Sequence, residues 1–129
     1  MIVKEIMSCP AITFMITDTV FDVLKIMNEK NINGAPIVNK ENELVGMIVK
    51  ADIYRFLIDP GHYGSCPIEW VMSKNVVTAQ RDEHILSIAK RLRENNIVAM
   101  PVIENHKVIG IISFEDIIDY FIKKQSSQI

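Results

Sequence analysis

Gly46-Met47-Ile48-Val49-Lys50-Ala51-Asp52-Ile53 and Gly110-Ile111-Ile112-Ser113-Phe114-Glu115-Asp116-Ile117 are two versions of one segment, an apolar run that opens on Gly and closes on Asp-Ile. Working outward, the likeness covers most of the chain. Met7-Ser8, Thr13, Lys25, Glu29, Asn31-Ile32 and Pro36 recur as Met72-Ser73, Thr78, Lys90, Glu94, Asn96-Ile97 and Pro101. The offset is 65 residues from Met7 to Pro36 and 64 from Gly46 onward, so the copies differ in length by one residue, in the polar stretch 39–43. Self-similarity at such a period marks an internal duplication. Each copy is too small to bury a large core alone, which predicts halves packed face to face about a pseudo-twofold axis, with function in the related clefts.

In the first copy residues 11–14 form an apolar run after Pro10. Val20, Val23, Leu24 and Met27 then recur at helical spacing over 20–31, with Thr19 or Asp18 as the cap. Residues 35–38 and 44–48 read as strands of a hairpin, and 51–57 as a closing helix. The same order recurs at 76–78, 85–95, 100–103, 108–112 and 114–122. The expected fold is therefore α+β: two tandem β-α-β-β-α repeats, 1–58 and 68–123. Residues 59–67, broken by Pro60, Gly61, Gly64 and Pro67, join them, and 124–129 form a polar, frayed tail.

With 129 residues, 49% of them hydrophobic and 23% charged, the composition is that of a folded globular domain. No apolar run reaches the roughly 20 residues of a membrane span and no basic-then-apolar leader opens the chain, so a cytoplasmic address and no membrane partner are expected. A net charge of −2 argues against nucleic acid as partner, because phosphate backbones are held by clustered Lys and Arg. Cys9 and Cys66 occupy unrelated repeat positions and form no pattern with His62, His84 and His106, so incidental thiols, solvated histidines and no metal site are expected. No nucleophile–base pair or paired carboxylates assemble either. The chain reads as a non-enzyme with no catalytic residues.

The sharpest local signal is the strand-to-helix step at Gly110–Asp116. Ser113 and Asp116 fall at a helix start, where free N–H groups and the dipole favour anions. A carboxylate there can take both hydroxyls of a ribose, with Ser113 and backbone N–H groups near a phosphate. The competing reading is a Ser-x-x-Asp capping box, worth about 1 kcal/mol and implying no ligand. The first copy keeps Asp52 but has Val49 at the cap. A second signal is Asn33-Gly34-Ala35-Pro36, matched by Val98-Ala99-Met100-Pro101. Small residues there admit a flat ring, and the Pro is expected to interrupt strand pairing and free backbone groups for an adenine edge; a tight helix-to-strand turn is the plainer alternative. Trp70, where the first copy has Glu5, is a candidate interface anchor or simple packing on the linker.

Taken in order and duplicated, the Met-Ser opening, the x-x-Pro before a strand and the Gly-h-h-(Ser/Thr)-x-x-Asp close resemble CBS domains, the pair together resembling a stand-alone Bateman module. The resemblance implies a regulatory module that binds an adenosine-containing ligand between its copies and transmits occupancy to a partner protein. It places ribose on Asp116 beside Ser113, with adenine against Ala11, Ile12, Asn33, Gly34 and Ala35. A second, weaker cleft would use Asp52 with Val76, Val77, Val98, Ala99 and Met100. Glu115 beside Asp116 disfavours a triphosphate unless Lys50, Arg55, Lys74 or Lys107 compensates, so AMP or ADP is expected in place of ATP, and no cofactor. The resemblance also implies a homodimer, for which Ile53, Phe56, Ile117, Ile118, Tyr120 and Phe121 would supply apolar surface. The alternatives are a scaffold without a small ligand and an S-adenosylmethionine sensor.

Overall fold

A computed structural model describes residues 1–126; the last three positions of the polar tail, 127–129, lie outside the described residues. In chain order the regular elements are β1 (Phe14–Met15), α1 (Val20–Lys30), β2 (Gly34–Val38), β3 (Leu44–Val49), α2 (Lys50–Ile58), α3 (Ile85–Glu94), β4 (Ala99–Glu104), β5 (Lys107–Ser113) and α4 (Phe114–Ser126). Short 3-10 turns precede each set, at Val3–Glu5 and Ile68–Trp70. The class is α+β, with one sheet ordered β1-β2-β3 and another of β4-β5. Lys124, Gln125 and Ser126, expected in the frayed tail, continue α4.

Local chemistry accounts for the boundaries. The Thr19 hydroxyl accepts the Asp22 N–H at 3.1 Å and caps α1, while Asn31, in the left-handed region at φ 58°, ends it. Both hairpins are antiparallel with the same bulge, after Ile37 and after Val102. The one-residue length difference falls in their loops. In the longer one the Asn39 carboxamide oxygen accepts from the N–H groups of Glu41 and Glu43. The shorter one turns on Asn105 and His106, both at positive φ.

The prolines do not break the hairpins as expected. Pro36 pairs with Met47 and Pro101 with Ile111 within the ladders. The backbone groups of Met47 exchange hydrogen bonds with Ser73 instead, and those of Ile111 with Ser8. Each proline thus occupies a position where its missing N–H costs the hairpin nothing. The loss falls on the other edge of β2 and β4. There β1 begins pairing only past Pro36, at Phe14↔Ile37. The strand expected at 76–78 is absent, and a parallel bridge between Ala79 and Val102 takes its place.

The chain divides into two compact units that cut across the sequence repeats: Ile12–Val76 is one, and Met1–Ala11 with the chain from Val77 onward is the other. The first has a core of Phe14, Val20, Val23, Met27, Ile37, Ile48 and Ile53, to which Ile68 belongs. The second is built on Ile85, Ile88, Leu92, Met100, Val102, Ile112 and Ile117, and includes Val3. Val3 and Ile68, the same position in the two repeats, are both fully buried. Each repeat's opening segment therefore completes the core formed by the remainder of the other repeat. The stretch 59–67 is tied into the first unit, with Val20 N–H donating to Cys66 O at 2.8 Å and Phe21 N–H to Gly64 O at 2.9 Å.

This exchange explains the glycine of the repeated segment. A Cβ on Gly110 would lie 2.8 Å from Met7 Sδ and 2.9 Å from Ser8 O; one on Gly46 would lie 2.5 Å from Met72 Sδ and 3.0 Å from Ser73 O. The Met-Ser opening and the Gly-h-h strand are the two halves of one contact, and only glycine admits it.

Candidate functional site

At the start of α4 the Ser113–Asp116 pair forms the reciprocal box. Ser113 N–H donates to Asp116 Oδ2 at 2.9 Å, and Asp116 N–H donates to Ser113 Oγ at 3.2 Å. The Ser113 hydroxyl also donates to the same Oδ2, at 3.0 Å. Capping is thus realised, and it uses one carboxylate oxygen. Oδ1 takes no hydrogen bond from a described residue and is not sealed from solvent. Partial burial pushes the Asp116 carboxyl above the ordinary aspartate value; the Ser113 bonds oppose that shift, and Glu115 and Asp119 add to it. The result is an acceptor held in place, half desolvated, short of donors and close to other negative charge.

The matching start of α2 is finished differently. Val49 offers no side-chain cap, and the Asp52 carboxylate turns to the guanidinium of Arg55, one turn on. Arg55, expected as compensation for phosphate, is engaged in that pair.

Strand pairing then brings the small-residue segments to these helix starts within each unit. Val98 O accepts from Phe114 N–H at 3.0 Å, and Ala99 is the pairing partner of Ser113. Asn33 O accepts from Lys50 N–H at 2.9 Å, and Gly34 is the partner of Val49. Gly34, Ala35, Ala99 and Met100 are buried, while Asn33 and Val98 are exposed at the rim. Ala11, Ile12, Val76 and Val77 are half-buried. Ala11 and Ile12 fall on either side of the boundary between the units, as do Val76 and Val77. Asp116 also lines a groove of about 710 Å³ in its own unit, with Met1, Glu5, Ile6, Asp119 and Tyr120.

Sequence reading missed the anchor of the segment ahead of α3. Arg91 donates bidentately to Glu83, at 3.0 and 2.6 Å, and reaches Thr78 O at 3.0 Å. The guanidinium bond holds the Glu83 carboxyl below its ordinary value. The first repeat has Ile26 in place of Arg91, so no repeated signal marked it.

The histidines and apolar positions need three corrections. His62 is not solvated: its ring stacks on Phe56 at 4.0 Å, and Nδ1 lies 2.9 Å from Phe56 O. His84 is exposed but caps α3, accepting Leu86 N–H at 3.1 Å. Ile53 and Ile117 face the cores instead of supplying surface, because they fall on the buried side of their helices. The exposed apolar residues of α4 and α2 are Ile118, Phe121 and Ile122, with Tyr54 and Ile58. Trp70 is 64% exposed, not packed away. Both cysteines are free thiols. Among the described residues no cluster of three or more His, Cys, Asp or Glu is placed to hold a metal ion, and no helix is long and apolar enough to cross a membrane.

Two α+β repeats with exchanged opening segments and an acidic helix start define a class of tandem repeat module. The profile of the CBS domain matches residues 3–59 and 68–123, and the chain belongs to that family. It is similar to the CBS domain pair of protein MJ0100, solved with 5′-methylthioadenosine and S-adenosyl-L-methionine. Identity is 35%, coverage 96% of this chain and 98% of that one, and the TM-score 0.88. The fold is shared with CBSX2, solved with AMP, at 18% identity and a TM-score of 0.85, covering 96% and 98% of the two chains. Among curated relatives, L-aspartate semialdehyde sulfurtransferase of Methanocaldococcus jannaschii is 36% identical over 90% of this chain and 22% of the relative. Homoserine O-acetyltransferase of Methanococcus vannielii is 36% identical over 90% and 24%. The chain spans about a quarter of the length of these relatives.

Proposed function

We propose that this chain is a ligand-sensing regulatory module and not an enzyme, and that it binds an adenosine-containing nucleotide through Asp116. The observation that carries the reading is the half-buried Asp116 carboxylate, fixed by Ser113 through Oδ2 with Oδ1 unengaged. The vicinal hydroxyls of a ribose supply the two donors that such a carboxylate lacks. In this reading Ala11, Ile12, Asn33, Gly34 and Ala35 contact the base, and Asp52 with Val76, Val77, Val98, Ala99 and Met100 forms a weaker site, since Arg55 already occupies Asp52. The acids around Asp116 favour a short phosphate tail, AMP or ADP, over ATP. The solved relatives with adenosine-containing ligands support the adenosyl part of the assignment.

Occupancy would act on a regulated protein by favouring one arrangement of the module over another. A homodimer through the exposed Ile118, Phe121 and Ile122 stripe of α4, at i, i+3 and i+4, and a cytoplasmic address belong to the same proposal. Calorimetric titration with AMP, ADP, ATP and S-adenosylmethionine tests it. One adenosine ligand is expected to bind saturably and Asp116→Ala to abolish that binding. Silence from all four would leave a scaffold without a ligand.

A further inference from the structure

In the unit Ile12–Val76, the end of β1, the β2–β3 hairpin and the residues after the turn at Ile68–Trp70 surround an open groove of about 480 Å³. Its wall is Met15, Ile16, Val38, Val45 and Met72, with Lys40, Lys74 and Glu69 among its charged residues. The volume lies within the roughly 300–1,000 Å³ of small-molecule sites. Neither lysine makes an ion pair with a described residue. The groove thus joins an apolar body to two uncompensated ammonium groups against one carboxylate.

The other unit holds its own groove of about 460 Å³ in the same register. There Gln80, Arg81 and Asp82 replace Met15, Ile16 and Thr17, and Ile103, Glu104 and Asn105 replace Val38, Asn39 and Lys40. Arg81 lies 3.6 Å from Glu104, so its charge is already met, and the carboxylates Asp82 and Glu104 outnumber it. A concavity in both places belongs to the repeat; the apolar, net cationic lining belongs to the first unit alone.

We propose that this groove is a second ligand site, for a small amphipathic anion with an unbranched apolar body and a terminal carboxylate. The apolar body lies against Val45 and against Met15 and Met72, the two methionine thioethers adapting to a flexible chain. The carboxylate meets Lys40 and Lys74 at the mouth. This assignment does not depend on nucleotide binding, since its lining shares none of the residues assigned there to ribose or base.

Titration of octanoate at low ionic strength tests it, read by calorimetry and by fluorescence of Trp70, the single tryptophan, which follows Glu69 directly. Saturable binding is expected, with 1-octanol and octylamine at least about fivefold weaker. Lys40→Glu with Lys74→Glu is expected to lower octanoate affinity at least about fivefold with an unchanged melting temperature, two exposed charges each contributing a few-fold. Arg81→Glu, in the other groove, leaves it unchanged. Should the double charge reversal lower the melting temperature, Lys40→Gln with Lys74→Gln replaces it, and a smaller loss of the same sign is expected. Octanol binding as tightly as octanoate, full affinity in the lysine variants, or no saturable binding overturns the proposal.

Discussion

The N-terminus of α4 and that of α2 occupy one register in the two repeats, yet their aspartates meet different partners. Asp116 is held by its own helix start, through Ser113, and keeps one oxygen unengaged. Asp52 lacks a hydroxyl at the cap and turns to Arg55. The difference lies in two residues, Val49 against Ser113 and Arg55 against Asp119, and it separates a carboxylate with one oxygen unengaged from one paired in place. Duplication preserved the acidic residue, and its neighbours decide what that residue can do.

Asp116→Asn against Asp52→Asn is the sharpest way to break this comparison. Hydrogen bonds to a charged group contribute about 1.5–3 kcal/mol each. Asp116→Asn is therefore expected to weaken AMP at least about 30-fold by calorimetry, and Asp52→Asn less than about threefold. Stability should separate from affinity. The Asn oxygen still accepts from Ser113 N–H, so the chemical-denaturation free energy should stay within about 0.5 kcal/mol. The raised Asp116 value gives a signed pH effect. The folded state holds its proton more tightly than the unfolded one, so stability falls as pH rises from the ordinary aspartate value of 3.8 through the raised one. That downward step should be missing in Asp116→Asn. AMP affinity of the native chain should rise over the same window and level off above it, because only the ionised carboxylate accepts from both hydroxyls.

A smaller expected effect tests the exchange of opening segments. Gly110→Ala puts a methyl 2.9 Å from Ser8 O, a backbone atom held by the hydrogen bond it accepts from Ile111 N–H. Overpacking of this kind costs about 1–3 kcal/mol, read as a lower denaturation midpoint. Gly46→Ala should cost a similar amount, since its Cβ would meet Met72 Sδ at 2.5 Å and Ser73 O at 3.0 Å. Equal stability of Gly110→Ala and the native chain would rule out the close contact.

The smallest effect sharpens the helix-start comparison directly. Val49→Ser supplies α2 with the hydroxyl that α4 has, and an added cap contributes about 1 kcal/mol. A rise of that order is expected in the denaturation free energy. Adding Arg55→Ala releases Asp52, and the double variant should gain a second, weak AMP site in the titration isotherm.

Much of this architecture could be read before any coordinates. Val20, Val23 and Met27 at helical spacing gave both the helix and its buried face, and the polar stretch 39–43 located the one loop where the copies differ. Ser113 and Asp116 were legible as a pair because a helix-start box is local chemistry, three residues apart. The segments at 11–14 and 76–78 misled, since apolar character signals burial whether or not a neighbouring strand has hydrogen-bonding groups to offer. Pro36 and Pro101 offer no N–H at that edge, although Pro101 O still accepts from Ala79 N–H. Ile53 and Ile117 misled for a related reason: an apolar helix residue does not reveal which face is covered.

The amino-acid sequence by itself determined that there are two repeats, what elements each contains and which helix start carries a hydroxyl beside its aspartate, because these depend on contacts a few residues long. Only the tertiary structure decided that the opening segment of each repeat completes the core formed by the remainder of the other repeat, that Gly46 and Gly110 exist to admit it, and that Arg91 anchors Thr78. Those contacts are set by tertiary pairing, through backbone hydrogen bonds and close packing, and two repeats that share the Met-Ser opening and the Gly-h-h strand offer the same local pattern for either pairing.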